Sequence, residues 1–253
     1  MLDYDTLAVR VYEESLDRLL AFVREHGLKV HYVLDTHAHA DHLSGFQKLR
    51  AELGAKIGIS EHIRQVQSTF AGVFGWDSFR ADGSQWDVLL QDGVPLQAGS
   101  LEVVPIATPG HTPACVTFSI GDALFTGDVL FMPDSGTGRC DFPGGSADQL
   151  YDSVKKLYAH PDGTRVFVGH DYQPGGREVR WQTTIGESKA SNTQLRADTT
   201  RESFVAFRQS RDKTLRPPNL IFQSLQVNVN AGVLPAPEAN GRRYLKLPMN
   251  LFG

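Results

Sequence analysis

A layered α/β fold is predicted for this 253-residue chain by three features. Helix-period segments alternate with short apolar runs, the centre is β-rich and cut by Gly and Pro, and ligand-type residues stand at the ends of several β-like runs. The length allows a full hydrophobic core in one large domain, so residues 1–253 are read as a single domain. A composition of 41% hydrophobic and 21% charged residues argues against a disordered or fibrous chain.

The first element is a helix over residues 12–26, where Leu16, Leu19, Leu20 and Val23 recur at helical spacing and Gly27 suits the C-cap. His31 to Leu34 is a short apolar run closed by Asp35. LSGFQKLRAELG then returns to helical spacing, and KIGIS reads as a strand. Between Gly93 and Gly127, the pieces LEVVPIAT, CVTFSI and ALFTG are punctuated by Gly and Pro, as antiparallel strands and turns are. A helix from Ser146 to Ala159, a strand at RVFVG and two polar helices around Arg177 to Ala190 and Thr200 to Lys213 follow. The tail, residues 217–253, mixes Pro, Asn and apolar residues without a period and is expected to wrap over the domain.

Net charge is −4 and no run of Lys and Arg stands out, so neither nucleic acid nor an anionic membrane has an electrostatic footprint. The N-terminus is acidic where a signal peptide would be basic, and no apolar run is long enough to span a bilayer. A cytoplasmic setting and a small-molecule partner are expected. Two cysteines, Cys115 and Cys140, are too few for a disulfide framework and read as buried free thiols. A homodimer is the expected assembly on base rates.

The densest chemical signal is THAHADH, residues 36–42, which gathers His37, His39, Asp41 and His42 just after an apparent strand. Imidazole and carboxylate suit borderline divalent metals, and a loop can turn several side chains toward one point. The alternative is a solvated polar loop. TPGHT adds His111, FTGD adds Asp128, and FVGHD adds His170 and Asp171. Any one of these alone is more often a turn former than a ligand; their joint occurrence carries the weight.

The order HxHxDH, GHT, GD, GHD resembles the metallo-β-lactamase superfamily over nearly the whole chain. The resemblance implies an αββα sandwich with a metal at one edge of the two sheets. In hydrolytic members the matching positions hold two metals, one on His37, His39, His111 and Asp128, the other on Asp41, His42, Asp128 and His170. The segment from Met132 to Val154 looks like the persulfide dioxygenase branch. HTPACVTF, GRCDFPGG, GHDY and QVNVNAG are most like the bacterial β-lactamase hydrolase-like proteins. That branch implies one Fe(II) per chain on His37, His111 and Asp128, and oxidation of glutathione persulfide by O2 to sulfite and glutathione, as in sulfide detoxification. A two-His, one-carboxylate triad suits the chemistry because it leaves coordination positions open.

His39, Asp41, His42 and His170 then either orient the ligands and handle protons, hold a second metal, or are inherited structure without a catalytic role. Arg139 matches the branch's substrate-binding arginine, and a guanidinium fork suits the carboxylates of glutathione. Arg177 and Arg180 are weaker choices. Tyr172 is read as facing the substrate, with Asp141 and Asp171 in supporting roles. Family members carry a β-hairpin or more before the segment matching LDYD, so the first strands are expected to be trimmed or absent, leaving an exposed sheet edge if absent. The rival activity is hydroxyacylglutathione hydrolysis of the glyoxalase II type by two metals, with zinc the alternative ion. A non-catalytic persulfide-binding protein is the rival from another class.

Overall fold

The computed structural model describes residues 1–251 and resolves two compact units, one of residues 1–89 with the tail from Arg216, the other of residues 90–215.

The first unit opens with an antiparallel pair, β1 (Asp3–Asp5) and β2 (Arg10–Tyr12). Its turn is held by Asp5, whose Oδ1 accepts the N–H groups of Leu7 and Ala8 at 2.8 and 2.9 Å. The carboxylate of Asp3 accepts from the backbone and hydroxyl of Ser15, and so caps α1 (Glu14–Glu25). This helix buries Leu16, Leu20 and Val23, while Leu19, at the margin of the expected stripe, is exposed. Strands β3 (Tyr32–Leu34) and β4 (Lys56–Ser60) pair in parallel across α2 (Phe46–Leu53), and β5 (Val88–Leu90) completes a three-stranded sheet in the order β3–β4–β5. Leu2, Leu16, Leu20, Leu43, Leu49 and Val227 form its core. Burial of each such side chain contributes roughly 1.5–3 kcal/mol.

Two helices of this unit stand outside the sequence expectations. α3 (Ile63–Phe74) buries Ile63, Val66, Phe70 and Phe74, a stripe at helical spacing. α7 (Ile221–Asn228) lies in the tail and buries residues on most of its surface, polar ones included. A helix covered all round shows no amphipathic period, which is why the tail reads as aperiodic.

The second unit is built on a six-stranded sheet: β6 (Leu96–Ala98), β7 (Leu101–Ala107), β8 (Val116–Ile120), β9 (Ala123–Phe125), β10 (Arg165–Phe167) and β11 (Gln182–Thr184). The order is β11–β10–β9–β8–β7–β6, antiparallel except for β9 and β10, which need a crossover. That crossover contains α4 (Ala147–Tyr158), whose N-cap Ser146 accepts from the Gln149 N–H. α5 (Ile185–Ser191) and α6 (Arg201–Asp212) follow. Leu124, Leu130, Leu150, Leu157, Val166, Ile185 and Phe204 are fully buried in one cluster.

The helix expected around Arg177 to Ala190 forms only from Ile185, capped by Thr184. Upstream the chain is extended: Val168 donates to the Trp181 carbonyl, and β11 pairs with β10. Sheet pairing and the Arg177 contacts described below fix this stretch, and Val179, Trp181, Thr183 and Thr184 are themselves weak helix formers. Among the described residues no helix is long and apolar enough to cross a membrane.

Candidate metal centre

The ligand-type residues follow strand ends within each unit. In the first, residues 35–45 join β3 to α2 without helix or ladder structure. His37 is 1% exposed, and its Nδ1 lies 3.0 Å from Thr36 Oγ1, which leaves Nε2 as the ring's outward nitrogen. The His37 and His39 rings are 4.2 Å apart and those of His39 and His42 are 4.4 Å apart. His39, Asp41 and His42 offer ligand atoms within 4.8 Å of one another, with His42 Nδ1 3.1 Å from Asp41 Oδ2. His39 Nε2 also lies 3.7 Å from Asp35 Oδ1. Burial pushes the Asp35 carboxyl up to about 7, against the opposing pull of His42 and the Ser44 hydroxyl.

In the second unit His111 follows β7, Asp128 follows β9 and His170 follows β10. The Asp128 carboxylate, 13% exposed, stands between two imidazoles: Oδ2 is 3.7 Å from His111 Nε2 and Oδ1 is 3.6 Å from His170 Nε2. Both separations are too long for hydrogen bonds and suit donor atoms converging on a shared cation about 2 Å from each. The His111 Nδ1 donates to the Arg139 carbonyl at 2.7 Å, which assigns the lone pair to Nε2, the atom facing Asp128. Phe142 packs edge-on against the His111 ring. Gly138 is required by close approach, since a Cβ there would fall 1.9 Å from the Asp128 carbonyl oxygen. Gly110, at φ +142°, presents His111 where a Cβ would strike the backbone of Leu150 in α4.

The expected substrate-side residues are more constrained. Arg139 donates Nε and Nη2 to the Asp141 carboxylate at 2.6 Å each and lies over Phe142, so Asp141 serves to orient that guanidinium. Tyr172 is 65% exposed, stacked on His170 and edge-on to Phe131. Asp171 accepts from Nη1 and Nη2 of Arg177 and from the backbone of Arg180 and Gln173, which holds its carboxyl well below the usual carboxylate range. Arg177 directs its remaining donors to Asp134 and the Glu178 carbonyl. With all five N–H groups engaged, Arg177 clamps the 170–180 segment and is no substrate ligand. Its sequence context, a polar stretch expected to be helical, gives no sign of this. The Arg139 carbonyl, Phe131 and Phe142 also belong to the surroundings of His111 and His170; Phe142 lay in the GRCDFPGG motif without being singled out, and Phe131 lay in none.

Cys115 and Cys140 are buried and free, and burial pushes both thiols up to about 12. Thiolate is therefore scarce near neutrality. Iodoacetamide at about pH 8 is expected to leave the folded chain unlabelled and to add two labels after unfolding, read by intact mass. Rapid native labelling of Cys140 would contradict the burial.

The Metallo-beta-lactamase superfamily profile matches residues 5–170. The chain belongs to the metallo-β-lactamase superfamily. It is 48% identical over 250 residues to "Beta-lactamase hydrolase-like protein" of Agrobacterium fabrum, covering 99% of this chain and 58% of that protein. It is 44% identical over 253 residues to "Glyoxylase B2" of Dictyostelium discoideum, covering 99% and 87%. With "Persulfide dioxygenase ETHE1, mitochondrial" of Bos taurus the identity is 34%, covering 88% and 78%. The crystal structure of ETHE1 from Myxococcus xanthus is 32% identical with a TM-score of 0.72, covering 92% of this chain and 93% of that one. The mixed α/β chain thus has the metallo-β-lactamase fold. It spans little more than half the length of its Agrobacterium relative. Metallo-β-lactamase superfamily proteins bind metal ions, and the donors here fit one: imidazole and carboxylate groups, with the His111 tautomer set by a backbone acceptor.

Proposed function

We propose that this chain is an iron-dependent persulfide dioxygenase that converts glutathione persulfide and O2 to glutathione and sulfite. The likeness to ETHE1, extending over 92% of the chain, carries this reading. One Fe(II) per chain is assigned to His37, His111 and Asp128. When bound, it supplies a redox centre with open positions for a sulfur substrate and oxygen.

The chain's own residues orient and neutralise. The His111 Nδ1–H bond to Arg139 turns Nε2 toward Asp128, and Asp128 contributes the negative charge that offsets a divalent cation. His39, Asp41, His42 and His170 are assigned to holding ligands in place and exchanging protons with solvent. Arg139, braced by Asp141 and Phe142, is assigned to a carboxylate of the thiol carrier, and Tyr172 to one wall of its path. Two buried thiols and no disulfide among the described residues favour a reducing compartment, which supports the cytoplasm.

A second reading, two-metal thioester hydrolysis, is favoured by the His39, Asp41 and His42 cluster and by His170 beside Asp128. Oxygen uptake by the anaerobically iron-loaded protein on addition of glutathione persulfide separates the two. Uptake matched by sulfite, at about one iron per chain, is expected. Cleavage of S-lactoylglutathione without uptake, at about two metals per chain, would transfer the site to hydrolysis.

A further inference from the structure

We infer that Asn228, at the end of α7, is a positioning residue that holds the histidine loop in its metal-receiving form. The inference rests on the metal-centre part of the proposed function and not on which reaction the metal supports. Residues 35–45 make no helix, and among the described residues their only bridge pairs Leu43 with Leu2. The loop's remaining backbone groups must therefore find partners elsewhere. Asn228 supplies three: its Oδ1 accepts the Ser44 N–H at 2.8 Å, and its Nδ2 donates to the carbonyls of His39 and His42 at 2.7 Å each. The side chain is 2% exposed, and these bonds use an acceptor and both donors of the amide. No other side chain of this length offers two donors and an acceptor without charge.

The turn after Asn228 reinforces the grip. Gln47 donates to the Ala231 carbonyl at 2.6 Å, and Gly232, at φ +78°, approaches so closely that a Cβ would lie 3.2 Å from the Ser44 carbonyl. Ala231 itself adopts a left-handed φ of 53° to make this turn. The tail thus fastens both flanks of His39, Asp41 and His42, and the QVNVNAG block acquires a role: its first asparagine sets the course of the histidine loop nearly two hundred positions upstream in the chain.

The test is a Co(II) titration of the metal-free full-length protein, read by visible absorption beside thermal melting. Asn228→Leu removes all three bonds; Asn228→Asp keeps the acceptor and sets an oxygen against two carbonyls. Both are expected to weaken Co(II) binding by about tenfold or more, in the range typical for loss of an orienting partner. Leu225→Ala opens a cavity in the same helix, touches none of the three bonds, and is expected to lower the melting temperature while keeping affinity. If Asn228→Leu does not fold, Asn228→Ser carries the comparison, its hydroxyl retaining part of the set. Folded Asn228 variants that bind Co(II) like the parent, or a Leu225→Ala loss of equal size, would overturn the clamp alone. A folded parent chain that takes up no metal would overturn the metal centre with it. Weakened Co(II) binding in the Asn228 variants, beside a parent that takes up metal but shows no dioxygenase turnover, would overturn the proposed reaction and support the clamp.

Discussion

Asp128→Asn is expected to release iron and abolish oxygen uptake while the fold persists. The amide matches the carboxylate in size, so the close contacts that Gly138 and Gly169 make around residue 128 survive. What disappears is the only anionic donor in the assigned triad, in a position 13% exposed and flanked by two imidazoles. Loss of a mere orienting partner costs roughly 10–100-fold in metal affinity, and loss of the ligand itself should exceed that. Iron retained after dialysis against a chelator, together with the melting temperature of the metal-free protein, provides the check. Equal melting with less than a tenth of the parent's iron is expected; full retention would remove Asp128 from the ligand set. His111→Ala should behave alike and also addresses the non-catalytic rival. A persulfide-binding protein would keep ligand affinity without His111 and have no turnover to lose.

Where packing follows a simple period, the chain's order was legible beforehand. α1, β3, α2, β4, the β7–β8–β9 run, α4 and α6 all fall where apolar spacing and turn residues place them. α5 did not, because residues 182–184 of the expected helix pair with β10 and residues 177–181 lie in neither helix nor strand. Strand pairing is a long-range property: residues 177–184 do include the β-favouring Val179, Trp181, Thr183 and Thr184, but the charged residues among the first four break the strand pattern within a local window. α3 carries a readable stripe from Ile63 to Phe74 and needed only to be looked for.

The chemistry-bearing residues divide the same way. His37, His39, Asp41 and His42 announce themselves by density, and His111, Asp128 and His170 by their shared place after strand ends. Roles that depend on backbone contacts were invisible: the Arg139 carbonyl fixes the His111 tautomer, and Asn228 fixes loop backbone, through atoms common to every residue. Arg177 shows the converse. Its sequence permitted a substrate contact, and only the Asp134 and Asp171 carboxylates reveal that its donors are consumed.

Asp212→Ala is expected to destabilise the chain by about 3–5 kcal/mol, the usual cost of stripping one partner from a buried ion pair. Arg208 and Asp212, 2% and 4% exposed, face each other one turn apart on α6 in a short contact. Asp212 Oδ2 also accepts the Cys140 N–H at 2.8 Å, and Arg208 Nη1 donates to Gln194 Oε1 at 2.8 Å. Gln194 in turn binds the backbone of Ser135 and Thr137. The pair therefore frames residues 135–140, whose Arg139 carbonyl holds His111. Arg208 Nε already lacks a partner among the described residues, so loss of Asp212 would leave a buried guanidinium charge with little compensation. Replacing both residues, as Arg208→Met with Asp212→Leu, should recover most of the loss, because the stranded charge goes with its partner. The orphaned Cys140 N–H would still cost about 1–3 kcal/mol. Chemical denaturation of Arg208→Met, Asp212→Leu and the double variant closes the cycle, with Asp212→Ala measured beside them. Additive losses would mean that the pair is incidental, whereas a double variant more stable than Asp212→Ala would show that charge compensation is what keeps Asp212 beside Arg208.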